Sequence, residues 1–171
     1  MLAPNLFNML WEDEMKRLLA FVAVLGCVPV LLNCGGESNA AVTPPEALFT
    51  VLAEGTLPQG GGYTKKQSKV ISGQADYATE LAVYSSATPA SLDFVAGQVL
   101  LVDMGPRNTG GYSIRVTSVN VANDWVVANV ELVKPGPQCI VTLALTNPYQ
   151  FVYIPTRKEV LLSEVVRVTS C

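Results

Sequence analysis

The stretch that decides the reading of this chain is Met104-Gly-Pro-Arg-Asn-Thr-Gly-Gly-Tyr-Ser-Ile114, a Pro- and Gly-rich turn between two apolar runs. Val99-Leu-Leu-Val102 leads into it, and Tyr112-Ser-Ile-Arg-Val116 leads out with apolar and polar residues alternating. Pro106 restricts one backbone angle, and Gly110 and Gly111 accept positive φ, so the chain can reverse here. The pattern predicts a hairpin-like connection with Tyr112 where the new strand begins. Two more punctuated stretches follow, Lys134-Pro-Gly-Pro-Gln-Cys139 and Thr146-Asn-Pro-Tyr149.

Working outward, Gly97 to Asp103 is almost continuously apolar, which predicts a central strand. Ile114, Val116, Val119 and Val121 then predict a pair of strands or one bent strand, and Asn123-Asp124 makes a turn. Trp125 to Val133 alternates, with Val126, Ala128, Val130 and Leu132 on one face. Cys139 to Leu145, Gln150 to Ile154 and Glu159 to Val168 supply the remaining strands. Upstream, Ala47 to Ala53 predicts a first strand and Gln67 to Ile71 a short second one. Gly60-Gly61-Gly62 between them reads as a loop, since it lacks the spacing and the following Lys-Ser/Thr of a phosphate loop. Ser72 offers an N-cap for a helix over Gln74 to Tyr84, whose Tyr77, Leu81 and Tyr84 form one apolar stripe. Six or more strands with one helix predict a mainly β (α+β) fold. The expected form is an antiparallel β-sandwich or barrel-like domain with one short helix, a single unit over residues 47–171.

Composition narrows the function. Half of the 171 residues are hydrophobic, enough for a sizeable core, and the net charge is −3. Lys65, Lys66 and Lys69 are the nearest thing to a basic tract, so nucleic acid is not an expected partner. Histidine is absent, which removes Ser-His and Cys-His nucleophile pairs and the common His-containing zinc sites. Asp93, Asp103 and Asp124 are the acids nearest the turns, but no spacing selects a carboxylate pair for acid–base work. The expectation is a non-catalytic protein with no metal and no cofactor.

The front of the chain has its own grammar. Met15-Lys-Arg followed by an apolar run has the layout of a bacterial secretory signal. Residues 1–14 then read as an extension upstream of the true start, the alternative being a short amphipathic helix on Leu6, Leu10 and Trp11. Residues 15–33 form the signal, which closes on Leu31-Leu32-Asn33-Cys34 and resembles the lipobox of bacterial lipoproteins. Cys34 is the expected lipidation site, with Cys27 as the alternative; Cys27 is less suited because Val28 to Leu32 would leave an apolar segment after the anchor. A transmembrane reading of Leu18 to Leu32 falls short of the ~20 apolar residues that a span needs. Residues 34–46 then form a tether that holds the domain off the membrane of the bacterial envelope, at the outer membrane or the periplasmic face. Cys139 and Cys171 are the cysteines left over. In an exported protein they predict a disulfide, against the alternative of a buried Cys139 thiol and a free Cys171.

Val102-Asp-Met-Gly-Pro-Arg-Asn-Thr-Gly-Gly-Tyr-Ser-Ile114, Pro135-Gly-Pro-Gln-Cys139, Val141-Thr-Leu-Ala-Leu-Thr-Asn-Pro-Tyr149 and Ile154-Pro155 together resemble the PrcB-type C-terminal domain family. The resemblance runs from about Asp93 to Pro155, rather under half the chain. The namesake of that family is an accessory lipoprotein of a secreted subtilisin-like protease complex. The resemblance therefore implies a non-catalytic protein-binding role, with an envelope or secreted protein, such as a protease, as partner. Thr109-Gly-Gly-Tyr112 is also similar to the Thr-Gly-Tyr loop of chagasin-type cysteine protease inhibitors, which makes a loop-mediated inhibitor the alternative. A general structural envelope lipoprotein is a further alternative. The expected partner-binding loop is Arg107, Asn108, Thr109, Gly110, Gly111 and Tyr112, since Tyr and Arg contribute strongly to interfaces. For Tyr112 an inward, packing role competes with the binding one. Pro137, Gln138 and Tyr149 are expected to border the same surface if the strands bring the turns together.

Overall fold

A strand that is buried along its whole length stands at the centre of the computed structural model, which describes residues 48–62 and 65–171. The expected upstream extension, the signal, lipidation at Cys34 or Cys27 and most of the tether lie outside the described residues. The central strand is β3, Gln98–Asp103. Around it, in chain order, are β1 (Thr50–Gly55), β2 (Gln67–Ile71), helix α1 (Gln74–Tyr84), β4 (Ser113–Val121), β5 (Trp125–Pro135), β6 (Tyr149–Ile154) and β7 (Glu159–Thr169). One sheet has the order β1-β6-β3-β2 and is antiparallel throughout; the other has the order β4-β5-β7.

Two cores explain why β3 tolerates no polar side. Leu100 and Val102 face the second sheet, where they meet Ile114, Val116, Val119, Val126, Ala128, Val130 and Leu132. Val99 and Leu101 face the other way, onto the helix stripe Tyr77, Leu81 and Tyr84. Strand β6 repeats the arrangement, with Val152 and Ile154 between the sheets and Tyr149 and Phe151 under the helix. The result is three layers, helix on sheet on sheet, and a mainly β, sandwich-like fold with one short helix, as the pattern of elements predicts.

Several local expectations are corrected. The turn after β3 is not a hairpin, because β3 pairs with β2 and β6 whereas β4 pairs with β5. It carries the chain from one sheet to the other. Residues 139–145 do not form a strand; they run as irregular chain beside the Arg107–Gly110 turn, where isolated backbone bonds replace a ladder. The helix cap is Gly73 in extended conformation, not Ser72, and its carbonyl accepts the Tyr77 amide at 3.0 Å. Strand β4 is the single bent strand: its register against β5 shifts between Val116 and Ser118, which is why the inward series runs 114, 116, 119. Finally, β5 and β7 are parallel, unlike the antiparallel pairing expected throughout. Strand β6 returns the chain in the other sheet, so β7 starts beside Trp125 and must run in the direction of β5.

Phe151 is fully buried and stands edge-on to both Tyr77 and Tyr84, with ring centroids 6.2 and 5.4 Å away. Phe151→Ala is expected to lower unfolding stability by about 3–5 kcal/mol. Val95→Ala, at an exposed position, should stay within about 0.5 kcal/mol of the parent in the same urea titration.

Candidate functional site: a face built from two loops

The loop between β3 and β4 and the loop between β5 and β6 lie side by side. Backbone bonds join them in both directions: Arg107 N–H to Thr146 O at 2.7 Å, Thr146 N–H to Arg107 O at 2.9 Å, and Gly110 N–H to Thr142 O at 2.9 Å. The Thr146 hydroxyl adds a bond to the Thr109 carbonyl at 2.9 Å. Positive φ falls on Gly105 (74°) and Gly111 (83°), a conformation that a side chain resists. Gly110, expected to share that role, instead provides room: a Cβ there would collide with the Thr142 hydroxyl.

Beneath the loops lies a buried polar cluster. Asp103, at the end of β3, is 0% exposed. Its Oδ1 accepts the Gly105 amide at 2.7 Å and the Asn147 side-chain amide at 2.6 Å, and its Oδ2 accepts the Tyr84 hydroxyl at 2.5 Å. Gln67 Nε2 donates to that same hydroxyl at 2.9 Å. The Asn147 backbone amide reaches Thr56 O at 2.6 Å. A buried carboxyl group is costly unless its oxygens are paired, and here its partners come from the helix end, the turn and the second loop. Asp103 thus anchors both loops. Burial pushes the Tyr149 hydroxyl above its ordinary pKa of 10.0, and that hydroxyl donates to the Tyr84 carbonyl at 3.0 Å. Burial also raises Tyr77, against a smaller opposing effect of a hydrogen bond to the Ala90 backbone.

The expected contact residues separate on this framework. Asn108, Pro137 and Gln138 are exposed. Arg107 is half-buried and turns onto its own loop, donating from Nη2 to Met104 O at 2.7 Å, with its guanidinium 5.7 Å from the centre of the Tyr112 ring. Its Nε is shut from solvent without a hydrogen-bond partner among the described residues. Tyr112 packs against the inter-sheet core. Tyr149 does not join the face; it starts β6 and is buried under the helix, with its ring centroid 4.7 Å from that of Tyr84. Two residues that sequence reasoning placed in a strand are on the face instead: Ile140 is fully exposed and Leu143 is 94% exposed. The signal for them was present in the Pro-Gly-Pro turn, which ends the ladder before Cys139.

Cys139 and Cys171 are joined in a disulfide with Cα atoms 5.1 Å apart, the pairing that the sequence reading expects. The bond fastens the second loop to the end of β7, and Gly136 N–H to Thr169 O at 3.1 Å supports it. Among the described residues, no three His, Cys, Asp or Glu side chains are grouped to hold a metal, and no helix is long and apolar enough to cross a membrane.

This geometry defines a class: a layered β domain that presents a two-loop face on a buried polar anchor. Residues 98–155, from β3 to just past the end of β6, match the family model described as PrcB C-terminal. No curated protein and no solved structure matches the chain. The structural unit is wider than the matched segment. Strands β1, β2 and β7 pair with β6, β3 and β5 respectively, and α1 covers β3 and β6.

Because the cysteines are 32 residues apart, closing that loop restricts the unfolded chain. Reduction, or Cys171→Ser, is expected to lower stability by about 2–4 kcal/mol. Paired urea titrations of the oxidised and reduced protein check this; coincident midpoints would mean that the bond contributes nothing.

Proposed function

We propose that this chain is a non-catalytic, exported protein-binding module, anchored by a lipid at Cys34, that serves as an accessory or stabilising subunit of an envelope or secreted protease complex. The observation that carries the reading is the match of residues 98–155 to the PrcB C-terminal family, whose two linking loops form the exposed face. Ile140 and Leu143 are exposed on the second loop, as are the polar residues Asn108 on the first and Gln138 on the second. Apolar side chains held fully in water, rimmed by polar ones, favour burial against a partner. The anchored backbone beneath them lowers the ordering cost of binding. A loop-plugging inhibitor is not adopted, because Thr109 to Tyr112 is bonded and packed into the fold.

The test is recovery of partners from native membranes with the tagged full-length protein in mild detergent. A recurrent protease that keeps its activity in the complex is the expected result. Ile140→Asp with Leu143→Asp should reduce that recovery at least about tenfold, as for loss of interface anchors, while leaving the unfolding midpoint unchanged. Loss of protease activity at equimolar amounts would replace the accessory role with inhibition. Recovery of the bait alone would contradict both.

A further inference from the structure

Four strands form the edges of the two sheets: β1 and β2 in one, β4 and β7 in the other. An open edge is a template for pairing, and proteins blunt such edges with shortness, charge or bulges. Three of the four are blunted here. Strand β1 has six residues and a register shift between Val51 and Ala53. Strand β2 has five residues, includes Lys69 and follows Lys65-Lys66. Strand β4 carries the bulge after Val116. Strand β7 is neither short nor bulged, and its charges, Glu159, Glu164 and Arg167, are of both signs. It is eleven residues long without Pro, Gly or Lys, and its register with β5 is unbroken. Its apolar side chains are open on both faces: Leu161 and Val165 on the outer one, Val166 (59% exposed) and Val168 on the inner one.

We propose that β7 pairs antiparallel with β7 of a second copy, joining two three-stranded sheets into one of six strands about a twofold axis. One register brings opposite charges and apolar side chains together. With the axis at Ser163, Glu159 stands opposite Arg167, Leu161 opposite Val165, Val160 opposite Val166, and Leu162 opposite Glu164, whose carboxylate Lys66 already holds, each pair occurring twice. Both members of each pair lie on the same face, as cross-strand neighbours must. The charges are available for this. Glu159 has no ion pair among the described residues, and Arg167, 67% exposed, makes only a 3.6 Å contact to Glu131, which Arg115 already holds at 2.6 Å. Neighbouring registers are disfavoured: an axis at Glu164 sets that carboxylate against its own copy, and an axis at Leu162 sets Arg167 against Arg157. A foreign strand would have no reason to match this pattern, whereas a second copy matches it at both ends.

Sedimentation equilibrium of the full-length chain in mild detergent, over a range of concentrations, tests the pairing. The parent is expected to dimerise. Glu159→Arg or Arg167→Glu alone should each raise the dimer dissociation constant about tenfold, and the double exchange should bring it back to within about threefold of the parent. Both side chains are exposed, and circular dichroism confirms that each variant is folded. Amide exchange along β7 should slow as protein concentration rises. A parent that stays monomeric, as when β7 pairs with a foreign strand or with another part of its own chain, would overturn the proposal. So would single variants that dimerise like the parent, or a double exchange that fails to restore pairing.

Discussion

The carboxyl group of Asp103 is the point on which the described structure converges. It is fully buried at the end of the central strand and accepts hydrogen bonds from Tyr84, Gly105 and Asn147. Each partner has further ties. Tyr84 receives Gln67 of β2 and offers its carbonyl to Tyr149 of β6, while Asn147 reaches Thr56 beyond β1. Helix, edge strands, central strands and both loops therefore meet at one polar cluster inside two apolar cores. Such a network is strong when every member is satisfied and costly when one is lost. Apolar burial holds the layers together without direction; this cluster sets where the turn leaves the sheet.

That division of labour bears on function. The core positions β3 and β6, the buried cluster fixes Gly105 and Asn147, and paired backbone bonds then set the two loops against each other. The disulfide closes the far end of the second loop onto β7. What remains outside is a small set of side chains, with Ile140 and Leu143 foremost, that does no visible work for the fold. A face of this kind suits recognition of another protein, since its backbone is ordered before a partner arrives.

Periodicity made most of this legible. The stripe Tyr77, Leu81, Tyr84 marks the helix, the unbroken apolar run Gln98–Asp103 marks a strand covered on both faces, and the slip from Val116 to Val119 marks the bulge. The cysteines suggested their own pairing. The misread parts depend on contacts between distant segments. Glycines and a proline announce a reversal at 104–111, but only the pairing of β3 with β6, 50 residues further on, turns that reversal into a sheet crossover. The apolar run Cys139 to Leu145 is the same whether the segment has a neighbour or not, so Ile140 and Leu143 read as strand residues. Asp103 looked like one of three unremarkable acids because its partners Tyr84 and Asn147 are 19 and 44 residues away.

The central claim is that Asp103 holds the turn and the second loop to the core. It is tested most directly by Asp103→Ala, read by urea unfolding together with residue-resolved amide exchange. Leaving buried donors unpaired is expected to lower stability by at least about 3 kcal/mol. Exchange at Gly105, Arg107 and Thr146 should accelerate more than exchange within β5. A loss below about 1 kcal/mol, the ordinary range for a site without such partners, with those three amides unchanged, would contradict the account.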